Sequence, residues 1–346
     1  MFPKNWWYVA AMTEELGEGL LQRWLLNEPV VMYRTSSGRP VAMLDRCPHR
    51  SYPLSKGERI GDNLRCSYHG LTYEPSGKCV HIPGQKNIAP RCRATTFPLV
   101  EKHRFAWIWM GDPSRADESL IPDMHWNDDP EWIPTGGHFY IKCHYQLLVD
   151  NLMDLSHETY VHPSTIGNVA VAETPCKTEV SGTHVRTYRL IENCAPPPLY
   201  VKLRGFAENI DRTQDINFTP PSNIVIKSKS VPHGGDADKP AMKLEYRVLN
   251  GITPATEKST HHFWAVPRNF APDAAVTKAF HEGSVRAFTE DIGVLEAQQE
   301  MVDRLRPGER WIDINADSGG LAARRIVARL LEEEKPHLAE EQRSHA

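Results

Sequence analysis

The stretch Cys47-Pro-His49-Arg-Ser-Tyr-Pro-Leu-Ser-Lys-Gly-Glu-Arg-Ile-Gly-Asp-Asn-Leu-Arg-Cys66-Ser-Tyr-His69-Gly70 carries two thiols and two imidazoles in a repeated order, with sixteen residues between His49 and Cys66. Each half offers one thiolate and one imidazole from a loop, and the intervening hairpin can bring the two loops together. Around it, residues 6–9, 20–26, 30–33 and 41–44 are short β-rich runs separated by Gly, Pro, Ser and Asn. Helical periodicity is absent, so the spacing predicts a small antiparallel domain. Farther on, Phe105-Ala-Trp-Ile-Trp-Met-Gly-Asp-Pro reads as a strand ending in a turn, with Trp107 and Trp109 as core side chains rather than an electron route.

The order Cys-x-His, spacer, Cys-x-x-His resembles that of Rieske [2Fe–2S] domains. The resemblance implies that Cys47 and Cys66 hold one iron and His49 and His69 the other, the imidazoles raising the potential to roughly −150 to +300 mV. A Cys₂His₂ zinc site is the alternative, but zinc motifs usually pair Cys with Cys before His with His. The other cysteines, at 79, 92, 143, 176 and 194, are scattered and expected to be ordinary core or surface residues. Seven in all, without a leader-like opening, argues for reduced thiols or metal ligands and for the cytoplasm.

A second constellation lies in Asp154-Leu-Ser-His157-Glu-Thr-Tyr-Val-His162. Asn151, Asp154 and His157 recur every three residues, as on successive helical turns. His162 follows His157 by five residues, about 140° round an ideal helix of about 3.6 residues per turn. Pro163 disfavours helical dihedrals at His162 and lets its ring turn back; a π-bulge is the other route. Two imidazoles and a carboxylate on one face describe the facial triad of ferrous oxygenases. Asp291 is the candidate third ligand. It sits in a helix expected over residues 280–301, where Ser284, Phe288, Asp291 and Leu295 form an inward stripe. A lone buried carboxylate is costly unless paired or metal-bound. Glu290 is expected on a different face. A zinc protease motif fails because Val161 stands where His-Glu-x-x-His needs its second histidine.

A length of 346 residues suits two domains, expected at 1–130 and 131–346, with 112–134 as a proline- and acid-rich linker. A formal charge of −4 without a basic block speaks against nucleic acid and anionic membranes, and no run of about 18 apolar residues occurs. Beyond the iron segment, residues 177–180, 184–190, 200–206, 224–230, 242–249 and 261–266 read as strands. The long helix and a second amphipathic one near 321–334 follow them, with a frayed tail after Glu332. This is an α+β succession, a sheet with helices against it.

Together the motifs resemble the terminal oxygenase component of Rieske non-heme iron oxygenases, across the whole chain. The implied second domain is a helix-grip fold with mononuclear Fe(II) at His157, His162 and Asp291. Residues 150–162 and Pro267-Arg-Asn-Phe270 look most like the vanillate O-demethylase oxygenases, with dicamba O-demethylase and toluenesulfonate methyl-monooxygenase as relatives. That likeness implies an aromatic acid bearing a methoxy or methyl group, dioxygen as co-substrate, and a homotrimer in which Asp154 bridges His69 of one chain to His157 of the next. Asn151 is implied as a non-ligating neighbour of the iron, and His262 and Asn223 as substrate partners. Arg268 is expected in a structural ion pair. With no Gly-x-Gly-x-x-Gly after a strand and no four-Cys ferredoxin pattern, NADH is expected to act through a separate ferredoxin/flavin reductase. Two other classes remain open on residues alone: a Rieske electron carrier with idle histidines, and a zinc-stabilised binding module.

Overall fold

The structure, a computed structural model, describes residues 1–344 apart from 18, 236–242 and 307, with side chains to residue 335. The chain separates into two compact units, Met1–Ile121 with Thr253–Glu257, and Pro122–Ile252 with the remainder from Lys258. The division falls short of the expected boundary at residue 130, and the first unit takes a short segment from far along the chain.

The first unit is antiparallel β throughout, as its short β-rich runs indicate. Its strands are β1 (Trp7–Met12), β2 (Leu21–Leu25), β3 (Glu28–Arg34), β4 (Pro40–Leu44), β5 (Glu58–Ile60), β6 (Asn63–Arg65), β7 (Thr72–Tyr73), β8 (Cys79–His81), β9 (Thr96–Phe97), β10 (Leu99–Lys102) and β11 (Phe105–Trp109). They form sheets ordered β1-β11-β10, β2-β3-β4-β9 and β5-β6-β7-β8. The loop from β4 to β5 carries Cys47 and His49, and the loop from β6 to β7 carries Cys66 and His69. Trp107 and Trp109 are buried, each indole N–H donating to a carbonyl, of Lys102 at 3.0 Å and Asp112 at 2.9 Å. The borrowed segment is bonded into this unit. Leu26 N donates to Pro254 O at 2.8 Å, Asn27 N to Ala255 O at 3.0 Å, and Thr253 Oγ1 to Val9 O at 2.6 Å.

The second unit is built on one seven-stranded antiparallel sheet. Its elements are β12 (Gly136–Ile141), α1 (Tyr145–Met153), α2 (Glu158–Val161), α3 (Val169–Glu173), β13 (Lys177–Ser181), β14 (His184–Cys194), α4 (Pro198–Arg204), β15 (Ile210–Thr219), β16 (Asn223–Pro232), β17 (Leu244–Thr256), β18 (Ser259–Ala265), α5 (Ala274–Val302) and α6 (Ser318–Ser344). The sheet runs β12-β18-β17-β16-β15-β14-β13, and α1, α5 and α6 pack on it. The α+β expectation holds.

Four local expectations change. Of residues 200–206, expected as strand, 200–204 lie in α4. Pro198 starts that helix, Leu199, Tyr200 and Leu203 bury one face, and Gly205 closes it at φ +68°, a left-handed cap that glycine adopts without strain. Strand β15 is absent from the sequence reading because its inward residues, Ile210, Arg212, Gln214, Ile216 and Phe218, mix polar with apolar side chains. The long helix begins earlier than residue 280: Asp273 caps it, its carboxylate accepting from Val276 N at 2.8 Å. Finally, α6 continues to Ser344, past the expected fraying point; its side chains from 336 on lie outside the described residues. The ion pair expected of Arg268 is not found among the described residues. The buried guanidinium donates instead to Ala271 O at 3.0 Å and Thr277 Oγ1 at 2.7 Å, over the rings of Phe270 and Phe280. No described helix is long and apolar enough to cross a membrane.

Candidate metal centres and their cavity

The two loops of the first unit present their donors in matching ways. Ser51 N returns to Cys47 O and Gly70 N to Cys66 O, both at 2.9 Å, so each loop is a closed turn. Both sulfurs are buried while His49 and His69 are exposed, their ring centroids 4.6 Å apart. Gly70 has φ +74°, and a Cβ there would come within 2.8 Å of Pro83 Cγ, which explains a glycine directly after His69. Burial pushes the Cys66 thiol up, opposed by backbone N–H groups of Tyr68 and His69 aimed at its sulfur, and Tyr73 OH lies 3.2 Å from Cys47 Sγ. Buried thiolates met by N–H and O–H donors beside exposed imidazoles fit a [2Fe–2S] cluster with sulfur ligands inward and nitrogen ligands at the tip.

In the second unit the expected helix through Asn151, Asp154 and His157 is broken. Helix α1 stops at Met153, and Asp154 is extended at φ −125°, ψ 103°. Its carboxylate caps the next turn, accepting from Ser156 N and Ser156 Oγ at 2.8 Å each. His157 follows in that turn, and α2 ends before His162, as Pro163 requires. This break brings both rings round to one point. His157 Nε2 lies 3.4 Å and His162 Nε2 3.1 Å from the same oxygen of Asp291, and one ligand atom from each residue falls within 4.8 Å of the others.

The opposite ring nitrogens are held. His157 Nδ1–H donates to Asp154 O at 2.5 Å, and His162 Nδ1–H donates to Glu290 Oε2 at 2.8 Å. With the Nδ1 protons held in this way, a metal placed between the three groups would find both Nε2 atoms available as ligands, the tautomers it needs. Burial alone would push both imidazoles down, yet Asp291 holds them above their ordinary value. Asp291, which burial would push up, is held well below the carboxylate range by the two rings. The donor set fits Fe(II): two neutral nitrogens and one anionic oxygen from a buried face. Asn151 Nδ2 donates to the ligating oxygen of Asp291 at 3.2 Å, the non-ligating position expected of it.

Glu290 reaches the site, contrary to the sequence expectation. It is adjacent to Asp291 on α5, and the outward Nδ1 of His162 lies to the side of Asp291, where the neighbouring helix position can meet it. Asp154 contacts His157 through its carbonyl, and its carboxylate is engaged by Ser156. His262 is buried behind Phe288 at 4.9 Å between rings, its Nε2 2.9 Å from Asn250 Oδ1, and burial pushes its pKa down to about 3, so it is neutral. Asn223 is buried at the start of β16, its amide near Pro220 O at 3.4 Å. Neither is among the side chains that line the cavity at the metal ligands.

That cavity is lined by His157, His162 and Asp291 and has Phe288, Leu199 and Val248 among its apolar walls. Sequence reasoning missed its polar wall of Glu158, Arg212, Gln214, Ser228 and Tyr246. Glu158 is buried and accepts from Arg212 Nη2 at 2.8 Å and from Gln214 Nε2 at 3.1 and 3.0 Å. The available signal was Glu158 following His157 directly, but its partners come from the strand that went unread.

A cluster fold on one unit and an iron triad beneath an apolar cavity on the other define a Rieske non-heme iron monooxygenase. Comparison with known proteins agrees: residues 6–98 match the Rieske [2Fe-2S] domain and residues 141–333 the vanillate O-demethylase oxygenase C-terminal domain. The chain belongs to the vanillate O-demethylase oxygenase family. It is 39% identical to a vanillate O-demethylase oxygenase subunit from a Pseudomonas species, covering 97% of this chain and 96% of that one. It is also 39% identical to the iron-sulfur subunit of a toluene-4-sulfonate monooxygenase system from Comamonas testosteroni, over 96% and 98%. The crystal structure of dicamba monooxygenase bound to 3,6-dichlorosalicylic acid superposes with a TM-score of 0.92 at 34% identity, covering 96% of this chain and 98% of that one. The electron-carrier and zinc-module alternatives are thereby set aside.

Proposed function

We propose that the chain is the oxygenase component of a multi-component monooxygenase that hydroxylates the methyl group of an aromatic acid, the first reaction being O-demethylation of a methoxybenzoate such as vanillate. The observation that carries this reading is the convergence of His157, His162 and Asp291 in the lining of a mostly apolar cavity. Iron held there supplies dioxygen activation, and the cluster at Cys47, His49, Cys66 and His69 supplies electrons singly. Asp154 and Glu290 hold the imidazole protons away from the ligand face, Asn151 steadies the Asp291 oxygen, and the apolar walls exclude water and orient the ring. A methyl ether hydroxylated on its methyl carbon is a hemiacetal, which collapses to a phenol and formaldehyde.

NADH electrons reach the cluster through a separate ferredoxin/flavin reductase. In a homotrimer, Asp154 would bridge the exposed His69 of a neighbouring chain to His157 of its own chain, orienting both rings. The test is oxygen uptake and formaldehyde release together, with NADH, a class-matched reductase, and vanillate and toluenesulfonate in separate assays. Formaldehyde equal to oxygen consumed is expected; oxygen uptake with no formaldehyde, but with a benzylic alcohol from toluenesulfonate, assigns methyl hydroxylation instead.

A further inference from the structure

We propose that Arg212 and Gln214 read a phenolic hydroxyl on the ring carbon next to the methoxy-bearing carbon, making them specificity residues; this rests on the demethylase reading above. Both side chains line the cavity from the inward face of β15, and both are about 1% exposed. Each is half satisfied. Arg212 spends Nη2 on Glu158 and Nη1 on Ile166 O at 2.9 Å, leaving its Nε–H without a partner. Gln214 turns its amide nitrogen to the Glu158 carboxylate, which fixes the orientation of the amide and leaves Oε1 without a partner. Two residues held by the same carboxylate thus keep one orphan donor and one orphan acceptor. Leaving such groups unpaired in a buried wall is costly, and a ligand that satisfies them recovers that cost.

A hydroxyl matches this pair, since its oxygen accepts from Arg212 while its proton goes to Gln214. A carboxylate does not. Among the described residues that line the cavity, Arg212 is the one Lys or Arg, and Glu158 at 2.8 Å already balances it. A second anion there would sit beside Glu158 with no cation of its own. Arg212 and Gln214 line the same small cavity as His157, His162 and Asp291, so a ring whose methyl faces the ligands presents its nearby substituents to that cavity's polar wall. The group read is thus a close neighbour of the reacting methyl rather than a distant substituent. The cavity encloses about 70 Å³, less than the roughly 150 Å³ that admits benzene, so binding of a methoxybenzoate requires its lining to move apart.

The test is anaerobic equilibrium binding to the full metal-loaded chain without reductase, by calorimetry, so that no turnover intervenes. The probes are 4-hydroxy-3-methoxybenzoate and 3-methoxybenzoate, which differ only in the hydroxyl. The wild type is expected to prefer the hydroxylated probe by about tenfold, the worth of a well-placed hydrogen bond to a charged donor. Gln214→Met should remove most of that preference, and an unchanged visible spectrum of the cluster with unchanged far-ultraviolet circular dichroism reports that the variant is folded. Equal affinity of the wild type for both probes overturns the proposal, as does a Gln214→Met variant that keeps the preference. If both probes bind equally and still release formaldehyde in the coupled assay, the demethylase reading stands and only the hydroxyl assignment falls. If neither binds, both fall.

Discussion

Asp291, His157 and His162 were legible as ligands because each is a chemically conspicuous residue at a telling spacing. Glu290 was not, because helical geometry alone puts it on another face. Its contact depends on which way His162 turns after the break at Pro163, and that is a tertiary fact. The 2.8 Å bond from His162 Nδ1 fixes the ring's tautomer and raises its basicity. Glu290→Ala should therefore lower Fe(II) affinity by roughly 10- to 100-fold, the usual effect of removing an outer partner of a metal-ligating histidine. An iron titration of the variant checks this, with the visible spectrum of the cluster unchanged as the control. Affinity equal to the wild type would show that the contact is idle.

At the scale of elements, reading succeeded where one face is apolar and failed where function placed polar groups inward. Helix α5 was found from its stripe. Strand β15 was lost because Arg212 and Gln214 occupy positions where hydropathy alternation demands apolar side chains. Helix α4 was mistaken for a strand because Tyr200, Val201, Leu203 and Phe206 are good strand formers, whereas its Pro198 start and Gly205 stop spoke for helix. That stop has an energetic consequence. Gly205→Ala forces a Cβ into φ +68° and should destabilise the fold by about 1 kcal/mol, seen as a lower urea midpoint with unchanged slope.

At the scale of the whole molecule, each metal centre has its own unit and its own environment, exposed imidazoles in one and a buried triad in the other. The proposed route between chains runs through Asp154, whose carboxylate also lies 3.8 Å from the buried Arg189 guanidinium. Asparagine caps a helical turn as well as aspartate does, so Asp154→Asn keeps the Ser156 cap, and its backbone carbonyl still holds His157. The variant should retain about three irons and about two acid-labile sulfides per chain, yet lose at least about tenfold in turnover. Metal analysis with oxygen uptake decides the matter; wild-type turnover would refute the bridge.

The segment Thr253–Glu257 belongs by its hydrogen bonds to the first unit although it lies far along the chain. The amino-terminal third is therefore not a detachable cassette. A fragment ending at residue 121 would leave the amides of Leu26 and Asn27 and the carbonyl of Val9 without these partners. Gene fusions or recombination that trade cluster modules among oxygenases must carry two pieces of polypeptide together, not one.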